Sequence, residues 1–391
     1  MNLRKEIKLS DLLPKRRRKD PKERPAPKSG NARKRERSGR TKKLVGLKIG
    51  ASQIAAARVV NNGGPQLVQV ARENLDSGIV VGGELREADE LAQALRRFFR
   101  AHKLPRQNVR LGISNNRIGV RTFEIAGVAD EKQLVNAIKY RAQETLPIPI
   151  EEAVLDYHLL GERTDGEGVL HRRVLLVVAY RDLIGRYALA CKKAGLRLVG
   201  IDLEAFALLR ALAPPATGEA TSSAIVVVSV GHDRTTFAVS DGQMCQFTRV
   251  LDWGGHSLDV AIAKTLDLSP SEAQPIKLAL SLAEPSIPAG LTSEQSDQVR
   301  EAVNRELHGF ARELISSLQF YQSQPGSLGI GEIIFTGGTA QLPGLAAELS
   351  RLLGVRTRVG DPLTHVNVGK KVDREQQLGS LSCAIGLAIE S

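Results

Sequence analysis

The sequence predicts an α/β protein built from two related halves. Three observations carry this expectation. A strand-turn-strand unit occurs twice, at 44–60 (LVGLKIGASQIAAARVV) and at 225–240 (IVVVSVGHDRTTFAVS), each broken by a glycine, Gly50 or Gly231. Strand-like apolar runs alternate with helical segments through both halves. A third run, Ile333-Ile334-Phe335, opens onto Thr336-Gly337-Gly338-Thr339, so three glycine loops follow three strand ends. A glycine at such a point permits a bend with φ > 0 and a close approach of backbone to a ligand. The small and hydroxyl residues behind it leave N–H and O–H groups facing an anion.

The elements read in order as follows. After the first hairpin, 66–74 (QLVQVAREN) is a third strand, and 84–102 is an amphipathic helix with Leu85, Leu91, Leu95, Phe98 and Phe99 on one side. Strands at 108–113 and 119–125 flank the turn Ser114-Asn115-Asn116-Arg117. A helix over 130–144 stops at Leu146-Pro147-Ile148-Pro149, because proline restricts the residue before it and removes a donor. Strands at 154–160 and 172–180 follow, then a helix over 181–194 ended by Gly195, a strand at 196–201 and a helix over 204–213. The segment 214–223 (PPATGEATSS) is a boundary. Beyond the second hairpin come a strand at 243–250, a Gly254-Gly255 turn, helices over 257–266, 271–282 and 294–322, the strand at Ile333, and a helix over 342–353. The apolar segment 381–391 (LSCAIGLAIES) suits a helix packed in the core.

Composition excludes several classes. Apolar residues are 42% and charged residues 25%, which is ordinary for a globular protein. No apolar run approaches the ~18 residues of a membrane span, and the basic N-terminus has no signal-peptide core. Cys191, Cys245 and Cys383 are scattered and the seven histidines dispersed, so a zinc site is not expected and a reducing cytoplasm fits.

The net charge of +12 divides unevenly. Residues 1–43 hold 18 basic and 5 acidic groups, whereas the remainder holds 37 and 38. This proline-punctuated tail has too little apolar surface to fold alone. It suits an anionic phospholipid surface, at about 1 kcal/mol per basic residue. Its lack of aromatics argues against base stacking, so no specific nucleic-acid partner is expected. Within it, Leu9, Leu12, Leu13 and Pro14 form a short island resembling a docking motif.

Four stretches carry a resemblance to a known family. They are Gly46-Leu47-Lys48-Ile49-Gly50-Ala51-Ser52; Glu144-Thr145-Leu146-Pro147-Ile148-Pro149 with Asp156-Tyr157; Arg249 through Gly254-Gly255, then Ser271-Glu272-Ala273 with Lys277; and Thr336 through Leu345. The two hairpins resemble the phosphate loops of the actin/Hsp70/sugar-kinase fold, and TGGT its adenosine loop. Within that fold the chain is similar, over about 44–391, to PilM proteins of type IV pilus assembly, relatives of FtsA.

The resemblance implies an actin-like fold (a duplicated ribonuclease H-like unit) with two lobes around a nucleotide cleft. The tail would be 1–43, the first lobe 44–222 with an inserted subdomain at about 104–182, and the second lobe 223–391. It implies ATP or ADP bound to Lys48, Gly50, Ala51, Ser52 and Gln53 and to Gly231, His232, Asp233, Arg234 and Thr235. Gly254, Gly255, Glu272, Lys277, Gly337, Gly338 and Thr339 would lie at the adenosine. It further implies a cytoplasmic scaffold at the inner membrane with a groove for the N-terminal peptide of PilN, a bitopic membrane partner. The Leu12-Leu13-Pro14 ending resembles that peptide's motif, so the tail could occupy the groove of its own or a neighbouring subunit, a route to self-association.

Departures from the pattern weaken the case for turnover. Lys48 and Ser229 stand where acidic residues are usual, and Ala55 where PilM relatives often carry lysine. Those acids organise Mg²⁺ and the attacking water, so hydrolysis is expected to be weak or absent. Asp233 is the remaining carboxylate that could hold a metal through water. The alternatives are an active phosphotransferase of the same fold and an FtsA-like division protein.

Overall fold

Each apolar hairpin becomes the centre of a sheet. The computed structural model describes residues 42–145, 149–215, 222–284, 287–324, 326–370, 372–373 and 378–390. The island at Leu9, Leu12, Leu13 and Pro14 lies outside the described residues.

In the first half, β1 (Lys42–Ile49), β2 (Gln53–Asn61) and β3 (Pro65–Asn74) form an antiparallel meander. A small hairpin of β4 (Val80–Val81) and β5 (Glu84–Leu85) leads to α1 (Ala88–Ala101) and then β6 (Val109–Ile113), parallel to β1. An inserted unit follows: β7 (Ile118–Ala126), α2 (Glu131–Thr145), β8 (Ala153–Thr164) and β9 (Leu170–Tyr180), a three-stranded antiparallel sheet of order β7-β9-β8. The chain returns through α3 (Arg181–Lys193) to β10 (Leu198–Leu203), parallel to β6, and α4 (Glu204–Leu212).

The second half repeats the plan. It comprises β11 (Ala224–Val230), β12 (Thr235–Ser240), β13 (Cys245–Leu251), α5 (Gly255–Leu266), α6 (Pro270–Ala279), α7 (Ser293–Gln322), β14 (Ile330–Thr336), α8 (Leu345–Leu353) and β15 (Thr357–Val359). Its sheet has the order β13-β12-β11-β14-β15, matching β3-β2-β1-β6-β10 strand for strand in order and direction. β16 (Asn367–Val368) then adds to β3, and α9 (Ser382–Ala388) packs on the first sheet.

Strand alternation explains how two faces are filled. On β1 and β2, Val45, Leu47, Ile49 and Ile54 face α1 and α3, whereas Ala55 and Ala57 face α9. Gly46 is required there, since a Cβ would lie 2.0 Å from the Ala384 carbonyl oxygen. All seven residues of α9 are buried, as expected of the apolar C-terminal segment. With α4 it fills the space between the sheets, where Leu208, Leu212 and Leu387 meet Val227 and Ala238. Each fully buried leucine or valine contributes about 1.5–3 kcal/mol, so this shared layer binds the halves strongly.

Several boundaries differ from expectation for identifiable reasons. The expected helix from Glu84 begins at Ala88, because Gly82 and Gly83, at φ +60° and +69°, turn a two-residue hairpin that takes Glu84 and Leu85. The helix expected over 271–282 ends at Ala279, where Leu280 turns extended and is buried. The helix expected from Leu342 starts at Leu345, because Gly344 sits at φ +87° against the Leu282–Ala283 backbone.

Candidate functional site

The two hairpin turns close in the same way. The Gly50 N–H donates to the Gln53 carbonyl at 2.9 Å, and the Gly231 N–H donates to the Arg234 carbonyl at 2.9 Å. Neither glycine has positive φ, so the expected left-handed bend is corrected. What demands glycine is proximity: a Cβ at Gly231 would lie 2.9 Å from the Arg234 oxygen, and one at Gly50 3.3 Å from the Gln53 oxygen. The third loop does use φ > 0, at Gly337 (+95°), where a Cβ would lie 2.2 Å from the Val230 oxygen. The Gly231 carbonyl then gathers the loops, accepting the Gly255 N–H and the Thr339 hydroxyl, each at 2.9 Å.

These loops border a cleft of about 880 Å³ between the halves, in the range of small-molecule sites. Its lining includes Lys48, Gly50 to Gln53, Gly231 to Arg234, Lys277 and Gly337 to Thr339, so most of the expected residues converge. Others do not line it. The Thr235 hydroxyl turns inward to the Trp253 carbonyl at 2.8 Å. Gly254 and Gly255 pack behind the second loop; a Cβ at Gly254 would lie 2.4 Å from the His232 oxygen. The Glu272 carboxylate accepts the Ser269 N–H at 2.9 Å, completing the capping box of α6.

The charged residues are already engaged with one another. Lys48, at the end of β1, lies 3.4 Å from Glu204, which opens α4. Burial, the largest single influence, would lower the Lys48 pKa, but Glu204, Cys383 and Asp233 together outweigh it and hold it above the ordinary lysine value. Lys277 is buried, 2.8 Å from Asp259 and 2.9 Å from the Gly255 carbonyl. Asp233, expected to hold a metal through water, accepts the Gly82 N–H at 2.9 Å through one carboxylate oxygen. Among the described residues, no group of three or more His, Cys, Asp or Glu side chains could hold a metal ion. Arg234 pairs with Asp252 at 3.1 Å, yet its Nε and Nη1 are buried without a hydrogen-bond partner. The His232 and His256 rings stand 5.1 Å apart. Burial, with His256 and Lys277 nearby, pushes the His232 pKa below the usual 6.5, leaving it neutral at pH 7.

The sequence reading missed Glu204, His256, Asp259, Ser114 and Thr236, all lining the cleft. The Ser114 and Thr236 hydroxyls meet at 2.8 Å, joining the two halves. Glu204 had a legible signal: an acid heading an otherwise almost wholly apolar helix directly after a strand (IDLEAFALLRAL).

Two sheets of one strand order around a cleft bounded by paired glycine hairpins define an actin-like protein. The sequence model of type IV pilus assembly protein PilM matches residues 46–391, and the chain belongs to that family. Among solved structures it is similar to a PilM–PilN type IV pilus biogenesis complex, at 25% identity and TM-score 0.74, covering 89% of this chain and 98% of that one. The ethanolamine utilization protein EutJ of Carboxydothermus hydrogenoformans shares the fold at 17% identity and TM-score 0.50, covering 89% of each chain. The cell division protein FtsA of Escherichia coli K12 is 28% identical over 289 residues, 68% of this chain; the match spans 64% of that protein's length. FtsA of Bacillus subtilis is 23% identical over 340 residues, 75% of this chain and 72% of the relative.

Proposed function

We propose that this protein is a scaffold of the type IV pilus assembly platform that holds ATP or ADP in its cleft and docks the N-terminal peptide of a PilN-like membrane protein. The observation that carries the reading is the likeness to the PilM–PilN complex along nearly the whole of that chain. In this reading the Gly50 and Gly231 loops cradle the phosphates, and Gly337 to Thr339 border the nucleoside with Lys277. The division into a tail (1–43), a first lobe (44–222, inserted unit about 104–182) and a second lobe (223–391) belongs to the same proposal. The protein works at the cytoplasmic face of the inner membrane, with the basic tail against anionic lipid and self-association a further property. Among the described residues no helix is long and apolar enough to cross a membrane, so attachment would run through the partner and the tail.

Nucleotide acts here as a conformational ligand. Binding both loops favours closure, and closure changes the partner's affinity only insofar as the partner distinguishes the two states. Turnover is weak or absent, because Lys48 and Ser229 supply no carboxylate to orient water. An FtsA-like division role is the second reading, favoured by the FtsA matches. Binding of the full-length protein to an immobilised N-terminal peptide of the PilN-like partner tests the proposal. Saturable capture is expected; failure to bind that peptide, with capture by a division protein's tail instead, would favour the second reading.

A further inference from the structure

Among the described residues that line the cleft, cationic side chains outnumber acidic ones, and each carboxylate already has at least one partner. Three acids line it, Glu204, Asp233 and Asp259. Glu204 faces the Lys48 ammonium at 3.4 Å, Asp259 faces Lys277 at 2.8 Å, and Asp233 takes the Gly82 N–H at 2.9 Å. Against them stand the fixed cations Lys48, Arg72, Arg234 and Lys277. A divalent ion beside a phosphate chain needs oxygen ligands from the protein or from water that the protein orients. At the end of β1 it would meet an ammonium, and at the matching place on β11 the hydroxyl of Ser229. The residues present do not fit Mg²⁺.

They do fit an anion. The Arg234 side chain is only 15% exposed and keeps two buried nitrogens, Nε and Nη1, without an acceptor. Arginine cannot shed its charge, so a guanidinium in the cleft lining favours an incoming oxyanion. The guanidinium is held where it is by Asp252 and by the Gly82–Gly83 turn; a Cβ at Gly82 would lie 2.8 Å from Nη2.

We propose that this cleft takes its nucleoside di- or triphosphate as the metal-free polyanion, with Arg234 and Lys48 supplying the positive charge that a divalent cation would otherwise bring. Glu204 is the positioning residue that keeps the Lys48 ammonium at the cleft floor. The inference rests on the reading of the cleft as a nucleotide site.

The test is calorimetric titration of ADP into the full-length protein, in EDTA and in excess Mg²⁺. Affinity in EDTA should equal or exceed that in Mg²⁺. Arg234→Gln should weaken binding in EDTA at least about ten-fold, the scale of a lost charge-assisted hydrogen bond. Lys48→Gln should weaken it similarly, which keeps the test standing should either variant fail to fold. Binding that vanishes in EDTA and returns with Mg²⁺ would overturn the inference while leaving the nucleotide reading intact. Retention of full affinity by both folded variants would also overturn it. No ADP or ATP binding in either condition would remove the nucleotide reading itself, and this inference with it.

Discussion

Asp233 accepts the backbone N–H of Gly82 at 2.9 Å, joining the second glycine hairpin to a small turn of the first half. The two residues are 151 positions apart, so the contact pins the halves together at the cleft. The Ser114–Thr236 hydroxyl pair at 2.8 Å adds a second pin on the same wall. Asp233→Ala leaves the part-buried Gly82 donor unsatisfied and should lower unfolding stability by about 1–2 kcal/mol. Asp233→Asn keeps an oxygen acceptor and should recover most of it. Urea unfolding of the two variants checks the order; equal losses would contradict this role.

The Lys48–Glu204 pair makes a pH-dependent prediction. Glu204→Gln removes the counter-charge from a largely buried ammonium and should cost about 2–4 kcal/mol at pH 7. The folded Lys48 pKa lies above the ordinary 10.5. Its stabilisation is therefore fully present below that value and is lost as pH rises through the folded value. The stability gap between wild type and Glu204→Gln should be greatest near neutral pH and narrow as pH rises toward and beyond about 10.5. Thermal unfolding over that range reads the gap.

The hairpin glycines should rank by clearance. A Cβ meets the Arg234 oxygen at 2.9 Å for Gly231 but the Gln53 oxygen at 3.3 Å for Gly50. Gly231→Ala should cost about 1–3 kcal/mol and Gly50→Ala less than about 1 kcal/mol. Gly337→Ala should be worst, since both its φ of +95° and a 2.2 Å approach to the Val230 oxygen oppose a side chain. Melting temperatures of the three variants test the order.

The twin hairpins were legible because apolar run, glycine and apolar run is a local pattern, and duplication shows it twice. The buried C-terminal helix was legible from its unbroken apolar character. Other features depend on distant partners. Thr235 looks like a loop hydroxyl, but its place at the start of β12 aims it at the Trp253 carbonyl, away from the cleft. Glu272 has the spacing of a ligand residue and also that of a capping box with Ser269, and local geometry selects the cap. The role of Gly82 and Gly83 comes from Arg234 and Asp233, far along the chain.

The chain's single tryptophan offers a probe of the cleft. Trp253 stacks on Phe310 at 3.9 Å and directly precedes Gly254 and Gly255, which pack behind the second loop. Nucleotide that draws this loop inward should change its fluorescence saturably. Arg234→Gln should shift that curve to higher concentration.

Nucleotide-sensitive docking is the centre of the account. The most direct measurement is the affinity of the PilN-like partner's N-terminal peptide for the full-length protein, with and without saturating ADP. A change of about five-fold or more is expected, the lower range of allosteric coupling. Identical affinity in both conditions, with ADP binding shown separately, would contradict it.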